Sequence, residues 1–144
     1  MKHLEKVKIK IKTLQTIDSA GNEDEIEIIT EATLEKINNC FTINYDESDI
    51  TESKGSRTRL KIYKNKLCMT KIGIFSSKMV FEEGKSYKNI YTTPYGSFDL
   101  DFYTENYTNN LDEQGRGKVY VEYKIIFGNT GDGYNKLEIN IAEN

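Results

Sequence analysis

The segment Lys6-Val7-Lys8-Ile9-Lys10-Ile11-Lys12 alternates without exception between ammonium and aliphatic side chains. A helix would scatter these residues around its axis, whereas a strand, with a side-chain period of two, sets the aliphatics on one face and the lysines on the other. The segment therefore reads as a strand that buries one face. The same period returns in Glu25-Ile26-Glu27-Ile28, Phe41-Thr42-Ile43-Asn44-Tyr45 and Phe98-Asp99-Leu100-Asp101-Phe102. It continues in Val119-Tyr120-Val121-Glu122-Tyr123-Lys124-Ile125 and Leu137-Glu138-Ile139-Asn140-Ile141. Thr33-Leu34-Glu35-Lys36-Ile37, lying between two such patterns, is the one stretch that reads as a short helix.

Turn residues divide these runs at the spacing of a meander. Residues 18–23 form the first loop, Asn38-Asn39 a tight turn and residues 46–56 a longer polar loop. Asn65-Lys66, Glu82-Glu83-Gly84-Lys85, residues 109–117 and residues 128–133 supply the others. A sheet of this many strands leaves exposed edges unless it closes. The expectation is all-β: one domain spanning 1–144, a single closed antiparallel up-and-down β-barrel of about 8–10 strands, with a sandwich as the structural alternative. For the first hairpin, pairing Ile11 with Ile26 and Ile9 with Ile28 brings Lys12 opposite Glu25 and Lys10 opposite Glu27. The Lys6 to Lys12 row then reads as a solvated face that also guards an edge, not as a phosphate-tracking stripe.

Composition narrows function mainly by exclusion. A formal net charge of −3 and a pI near 5.3 give no global positive field, so nucleic acid and anionic membranes are not expected partners. No apolar run is long enough for a spanning helix, and the first residues lack the apolar core of a secretion signal, which points to a cytoplasmic protein. Cys40 and Cys68 lie inside strand patterns without CxxC spacing and read as reduced thiols. His3 is the single histidine and sits near the start of the chain, so neither a His-based triad nor a Cys/His zinc site can be assembled. Asp99 and Asp101 share the polar face of their strand and read as surface, not as an acid–base pair. Gly115-Arg116-Gly117-Lys118 lacks the spacing of a phosphate loop and is a hairpin turn, and Asn129-Thr130-Gly131-Asp132-Gly133 lacks the ligand order of a calcium loop. No catalytic residue, metal or cofactor is expected, and the protein reads as a non-enzyme.

The run Tyr87-Lys88-Asn89-Ile90-Tyr91-Thr92-Thr93-Pro94-Tyr95-Gly96 is poor in aliphatics, rich in hydroxyls and contains the one proline, as suits a turn at a barrel rim. Tyrosines in such a place serve a ligand mouth or the closing of a barrel end. Here the chain resembles a known family. Lys71-Ile72-Gly73, Met79-Val80-Phe81 with Gly84, Tyr91-Thr92-Thr93-Pro94-Tyr95-Gly96 leading to Phe98-Asp99-Leu100 and Thr104, and Gly117-Lys118-Val119-Tyr120-Val121-Glu122-Tyr123 resemble the YwiB-like family. Its members are small proteins of low-GC Gram-positive bacteria grouped as a domain of unknown function. The resemblance implies a calycin-like, that is lipocalin-like, closed antiparallel barrel, with no activity attached. It also implies that the position of Lys71 is commonly Arg, so an anion there would meet a point charge instead of a bidentate fork.

Two functional classes follow. The first is a barrel binding a small apolar or amphipathic ligand, with Ile43, Leu60, Ile62, Met79, Phe81, Phe98, Leu100, Val121 and Ile139 inward. Tyr91, Thr93 and Tyr95 would then stand near a mouth, with Lys71 or Arg59 for an anionic head group and Tyr123 as a further ligand contact. The second is a solid barrel that acts as a protein-interaction or assembly module.

Overall fold

The computed structural model describes residues 4–16, 23–46, 56–73, 76–126 and 132–144, the side chains at 23, 91, 93, 98 and 132 excepted. Its strands are β1 (Leu4–Thr16), β2 (Glu23–Ile37), β3 (Cys40–Asp46), β4 (Arg57–Ile62), β5 (Lys66–Ile72), β6 (Ser76–Glu82), β7 (Ser86–Thr93), β8 (Gly96–Leu111), β9 (Gly117–Ile126) and β10 (Asp132–Glu143). Each strand pairs antiparallel with its sequence neighbours, and β1 pairs with β10, so the sheet closes into a ten-strand up-and-down barrel and not a sandwich.

Alternation explains the core. Val7, Ile9 and Ile11 turn inward from β1, and the closing ladder sets Ile9 opposite Ile141 and Ile11 opposite Ile139. Ile43, Leu60, Ile62, Phe81, Val121 and Ile139 are buried as the periodicity requires, while Met79 and Leu100 pack partly buried against them. Phe98 is placed by backbone register alone, opposite Tyr91.

Three expectations change. The first hairpin pairs Ile11 with Ile28 and Lys12 with Glu27, two residues from the expected register. Lys12 still reaches Glu25 at 3.2 Å and Lys10 reaches Glu27 at 3.6 Å, now as diagonal contacts. A two-residue slip keeps every side chain on its own face, so charge pairing alone could not choose between the two registers. Residues 33–37 are strand, because Ala32 and Leu34 bury at spacing two and Leu34 meets Ile43 of β3. Residues 109–111 are strand as well. A bulge between Thr104 and Asn106 reverses the parity of β8, so Phe102 and Thr104 bury before it and Tyr107 and Leu111 pack against the core after it.

The barrel end holding the tight turns is plugged. Tyr107 Oη lies 2.7 Å from the Tyr63 carbonyl and 3.1 Å from that of Lys66, while Asn109 Nδ2 donates to Tyr63 O at 3.0 Å. Burial, the larger effect, holds the Tyr107 hydroxyl protonated well past the ordinary tyrosine range. Arg116, in the β8–β9 turn, pairs with Glu5 of β1 at 2.6 Å and Glu143 of β10 at 3.1 Å, clamping both strands of the closing ladder. Asp112 accepts from the amides of Gln114 and Arg116, and the Arg116 amide is the larger cause holding its carboxyl below the usual range.

The outer wall is segregated in charge. The lysines of β1 face the glutamates of β2, whereas β4 to β7 present Arg57, Arg59, Lys61, Lys66, Lys78 and Lys88, and among the described residues none of these is in an ion pair. Asp99 and Asp101 are exposed on the outer wall of β8.

Gly117 holds φ at +138°, and a Cβ there would run into the Asn110 carbonyl oxygen. Gly117→Ala should therefore destabilise by about 2–4 kcal/mol, against about 1 kcal/mol for Gly84→Ala, where only the positive φ is at stake; thermal melts by circular dichroism check the order. The carboxyls of Glu82, Asp112 and Glu138 all sit below their ordinary range, so each binds fewer protons folded than unfolded. Their contribution is complete above the unfolded carboxylate range of about pH 4 and is lost as pH falls through the depressed values. Urea midpoints should be flat from neutrality down to about pH 5 and fall below it, less steeply in Asp112→Asn.

Candidate functional site

Opposite the plugged end lies a cavity of about 390 Å³. Its apolar wall comes from Ile11, Ile26, Ile28, Met69, Met79 and Leu137, all at inward positions, with the rings of Tyr45, Phe81 and Tyr123. Phe81 and Tyr123 lie 4.7 Å apart between centroids, and Tyr123 stacks on Phe102 at 5.2 Å, which makes an aromatic cluster shared by β6, β8 and β9. The polar part of the lining is Thr13 and Gln15 on β1 and Lys71, Ser76, Ser77 and Thr92 on β5 to β7. Among these described residues Lys71 is the one charge. The volume falls in the range of small-molecule sites, about 300–1,000 Å³, and an apolar body with few polar groups is their usual make-up.

The cavity occupies the end where β3 leads toward β4 and β7 turns into β8. Residues 17–22, 47–55, 74–75 and 127–131 lie outside the described residues, and with them most of the loop 46–56 and residues 129–131 of the turn 129–133.

Of the residues expected to meet a ligand, Lys71 and Tyr123 line the cavity. Tyr91 and Thr93 are placed by register only, opposite Ser77 and Gly96; their side chains lie outside the described atoms. Tyr95 does stand at the rim, in the turn after Pro94, but it is 96% exposed and absent from the cavity wall. Arg59 faces out. The alternation that buries Leu60 and Ile62 turns it to the outer wall, where Nε donates to Asn44 Oδ1 at 3.0 Å. Ser77, Thr13 and Gln15 were missed, because a polar residue in a strand is ordinarily assigned to the solvent face. The available signal was parity: Thr13 and Gln15 continue the inward series Val7, Ile9, Ile11.

Chemistry at other positions is muted. Both cysteines are free thiols, and burial pushes the Cys68 thiol up against the pull of Lys66, Lys78 and Lys61. Among the described residues no three His, Cys, Asp or Glu side chains gather as metal ligands, and no helix is long and apolar enough to cross a membrane.

The fold and the cavity define a closed antiparallel β-barrel filled at one end and hollow at the other. Residues 9–139 match the profile of the family described as Domain of unknown function (DUF1934), and the chain belongs to that family. The crystal structure of the ywiB protein from Bacillus subtilis has the same fold, with a TM-score of 0.83 at 19% identity over 98% of this chain and 93% of that one. No curated protein matches the chain.

Tyr107→Phe removes the hydroxyl that ties β8 to the β4–β5 turn and should cost about 1–2 kcal/mol at neutral pH. Because the folded tyrosine keeps its proton while the unfolded one ionises near pH 10, wild-type stability should fall as pH rises beyond about 10. That fall should be shallower in Tyr107→Phe, as read from urea midpoints at neutral and alkaline pH.

Proposed function

We propose that this protein is a non-catalytic, calycin-like cytoplasmic barrel that binds a small amphipathic ligand in its hollow end. The observation that carries the reading is the 390 Å³ cavity whose wall is apolar apart from hydroxyls, one amide and Lys71. Apolar surface entering it is driven by removal from water at about 25 cal/mol per Å². A carboxylate or comparable anion is favoured beside Lys71, where the low-dielectric wall strengthens its attraction. The hydroxyls of Ser76, Ser77 and Thr92, on the same side, can donate to such a head group. Purified protein examined by native mass spectrometry should carry a stoichiometric adduct that is lost on denaturation. Ligand-free protein should bind a panel of fatty acids from hexanoate to dodecanoate by calorimetry. Lys71→Glu should weaken the tightest of these by at least about tenfold, or about 1.4 kcal/mol, without lowering the melting temperature. Protein that is bare as purified and binds none of the panel overturns the reading.

A second reading, an interaction module, draws support from the outer wall of β4 to β7, whose cations have no ion-pair partners among the described residues. It would be favoured by that same bare, non-binding result.

A further inference from the structure

The chemistry of the cavity wall changes with depth on three strands. On β1 the wall runs from Gln15 and Thr13 at the mouth to Ile11, on β5 from Lys71 to Met69, and on β6 from Ser77 through Met79 to Phe81. The next inward residues, Ile9 on β1 and Leu67 on β5, have no exposure and lie outside the wall. Phe81 and Tyr123 thus belong to the floor. Phe102 backs them, 6.0 Å from Phe81 and 5.2 Å from Tyr123 between centroids, without reaching the cavity. A ligand therefore enters apolar part first and leaves its polar group at the level of Lys71 and Ser77.

The same residues give the depth. From Gln15 to Ile11, and again from Ser77 to Phe81, the wall advances four residues, which is about 13 Å along a strand and ~10 Å along the axis of a barrel whose strands tilt by about 40°. An extended chain covers about 1.2 Å per bond, so one of about eight bonds reaches the floor. Spread over that depth, the 390 Å³ gives a mean cross-section of about 40 Å². An alkyl chain, about one carbon contact distance or ~4 Å across, fills less than half of it. Thr13 on β1 and Met79 on β6 are five strands apart in the ten-strand ring, so this breadth runs between opposite walls. The space is short and broad.

We propose that the ligand is an acid whose apolar part is a ring, aromatic or alicyclic, seated on Phe81 and Tyr123 with its carboxylate beside Lys71. This inference rests on the cavity reading above and narrows it from amphipathic molecules in general to ring-bearing acids. A ring fills breadth that a chain leaves empty, and empty breadth forfeits dispersion contacts along the whole length of the chain. A ring also has fewer torsions to immobilise. The rings of Phe81 and Tyr123 accept another ring in offset or tilted packing. Met69 and Met79, paired across β5 and β6, present thioethers that favour ring edges and adapt to the shape beside them.

The test compares three acids of equal carbon count by calorimetry: nonanoate, 3-cyclohexylpropanoate and 3-phenylpropanoate. Wild-type protein should bind the cyclohexyl acid about tenfold more tightly than nonanoate, and the phenyl acid at least as tightly as nonanoate. Along the linear series, affinity should stop rising at about nonanoate, where the chain meets the floor. Thr13→Phe sets a ring across the breadth from a half-buried position. It should weaken the cyclohexyl acid by at least about tenfold and nonanoate by less than about twofold. Wild-type protein that binds nonanoate as tightly as the cyclohexyl acid, or more tightly, overturns this inference and leaves the cavity reading standing. So does a linear series that keeps rising through dodecanoate, or an equal loss for both acids in folded Thr13→Phe. The wild-type comparison decides whether or not that variant folds. Wild-type protein that binds none of the acids overturns both.

Discussion

Pairing of β1 with β10 is the constraint on which the rest of the structure depends. Without it the sheet would end in two unpaired rows of backbone donors and acceptors, a template for association with other chains. With it, every strand has two neighbours and the interior becomes a single enclosed space. The ladder brings Ile9 to Ile141 and Ile11 to Ile139, so the contact that removes the edges also joins the two sides of the core. Arg116 reinforces it from outside by holding Glu5 and Glu143 together. Those ion pairs have exposed carboxylates and contribute modestly; the buried aliphatic rungs supply most of the closing free energy.

The two ends of the enclosed space are treated differently. At the plugged end, Leu34 and Phe41 crowd the turn at Gly115, and the polar atoms of Tyr107 and Asn109 satisfy the carbonyl of the β4–β5 turn. At the hollow end the inward positions of β1 change from Ile11 to Thr13 and Gln15, and those of β5 from Met69 to Lys71. A barrel of this size can be filled by side chains or left open for one small molecule. Here the change from aliphatic to polar residues along single strands does some of each.

Strand identity was legible because period two depends on order, and closure followed from the edge problem. What the sequence could not convey was any quantity with equivalent solutions. The register of the first hairpin was one, since Ile26 and Ile28 offer equally good partners two residues apart. The parity of β8 beyond Phe102 was another, because a bulge adds a residue without marking its place in an Asn-rich run. Lys71 and Tyr123, both within segments that resemble the family, line the cavity. Arg59 was misplaced by its chemistry when its neighbours Leu60 and Ile62 already gave its direction. Asn135 went unnoticed as a buried residue because an asparagine near a turn usually faces water, and only the assembled ladder, which sets it opposite Tyr123, shows that this one does not.

The segregation of charge over the outer wall has a consequence for how the whole molecule behaves in a field. The cations of β4 to β7 lie on one flank, while the net charge of the chain is −3, so the remaining surface is more acidic than the total suggests. The β4–β7 wall is thus a positive flank on a chain of negative net charge. A flank of this kind turns the molecule toward an anionic surface in a preferred orientation, an effect that weakens as ionic strength rises.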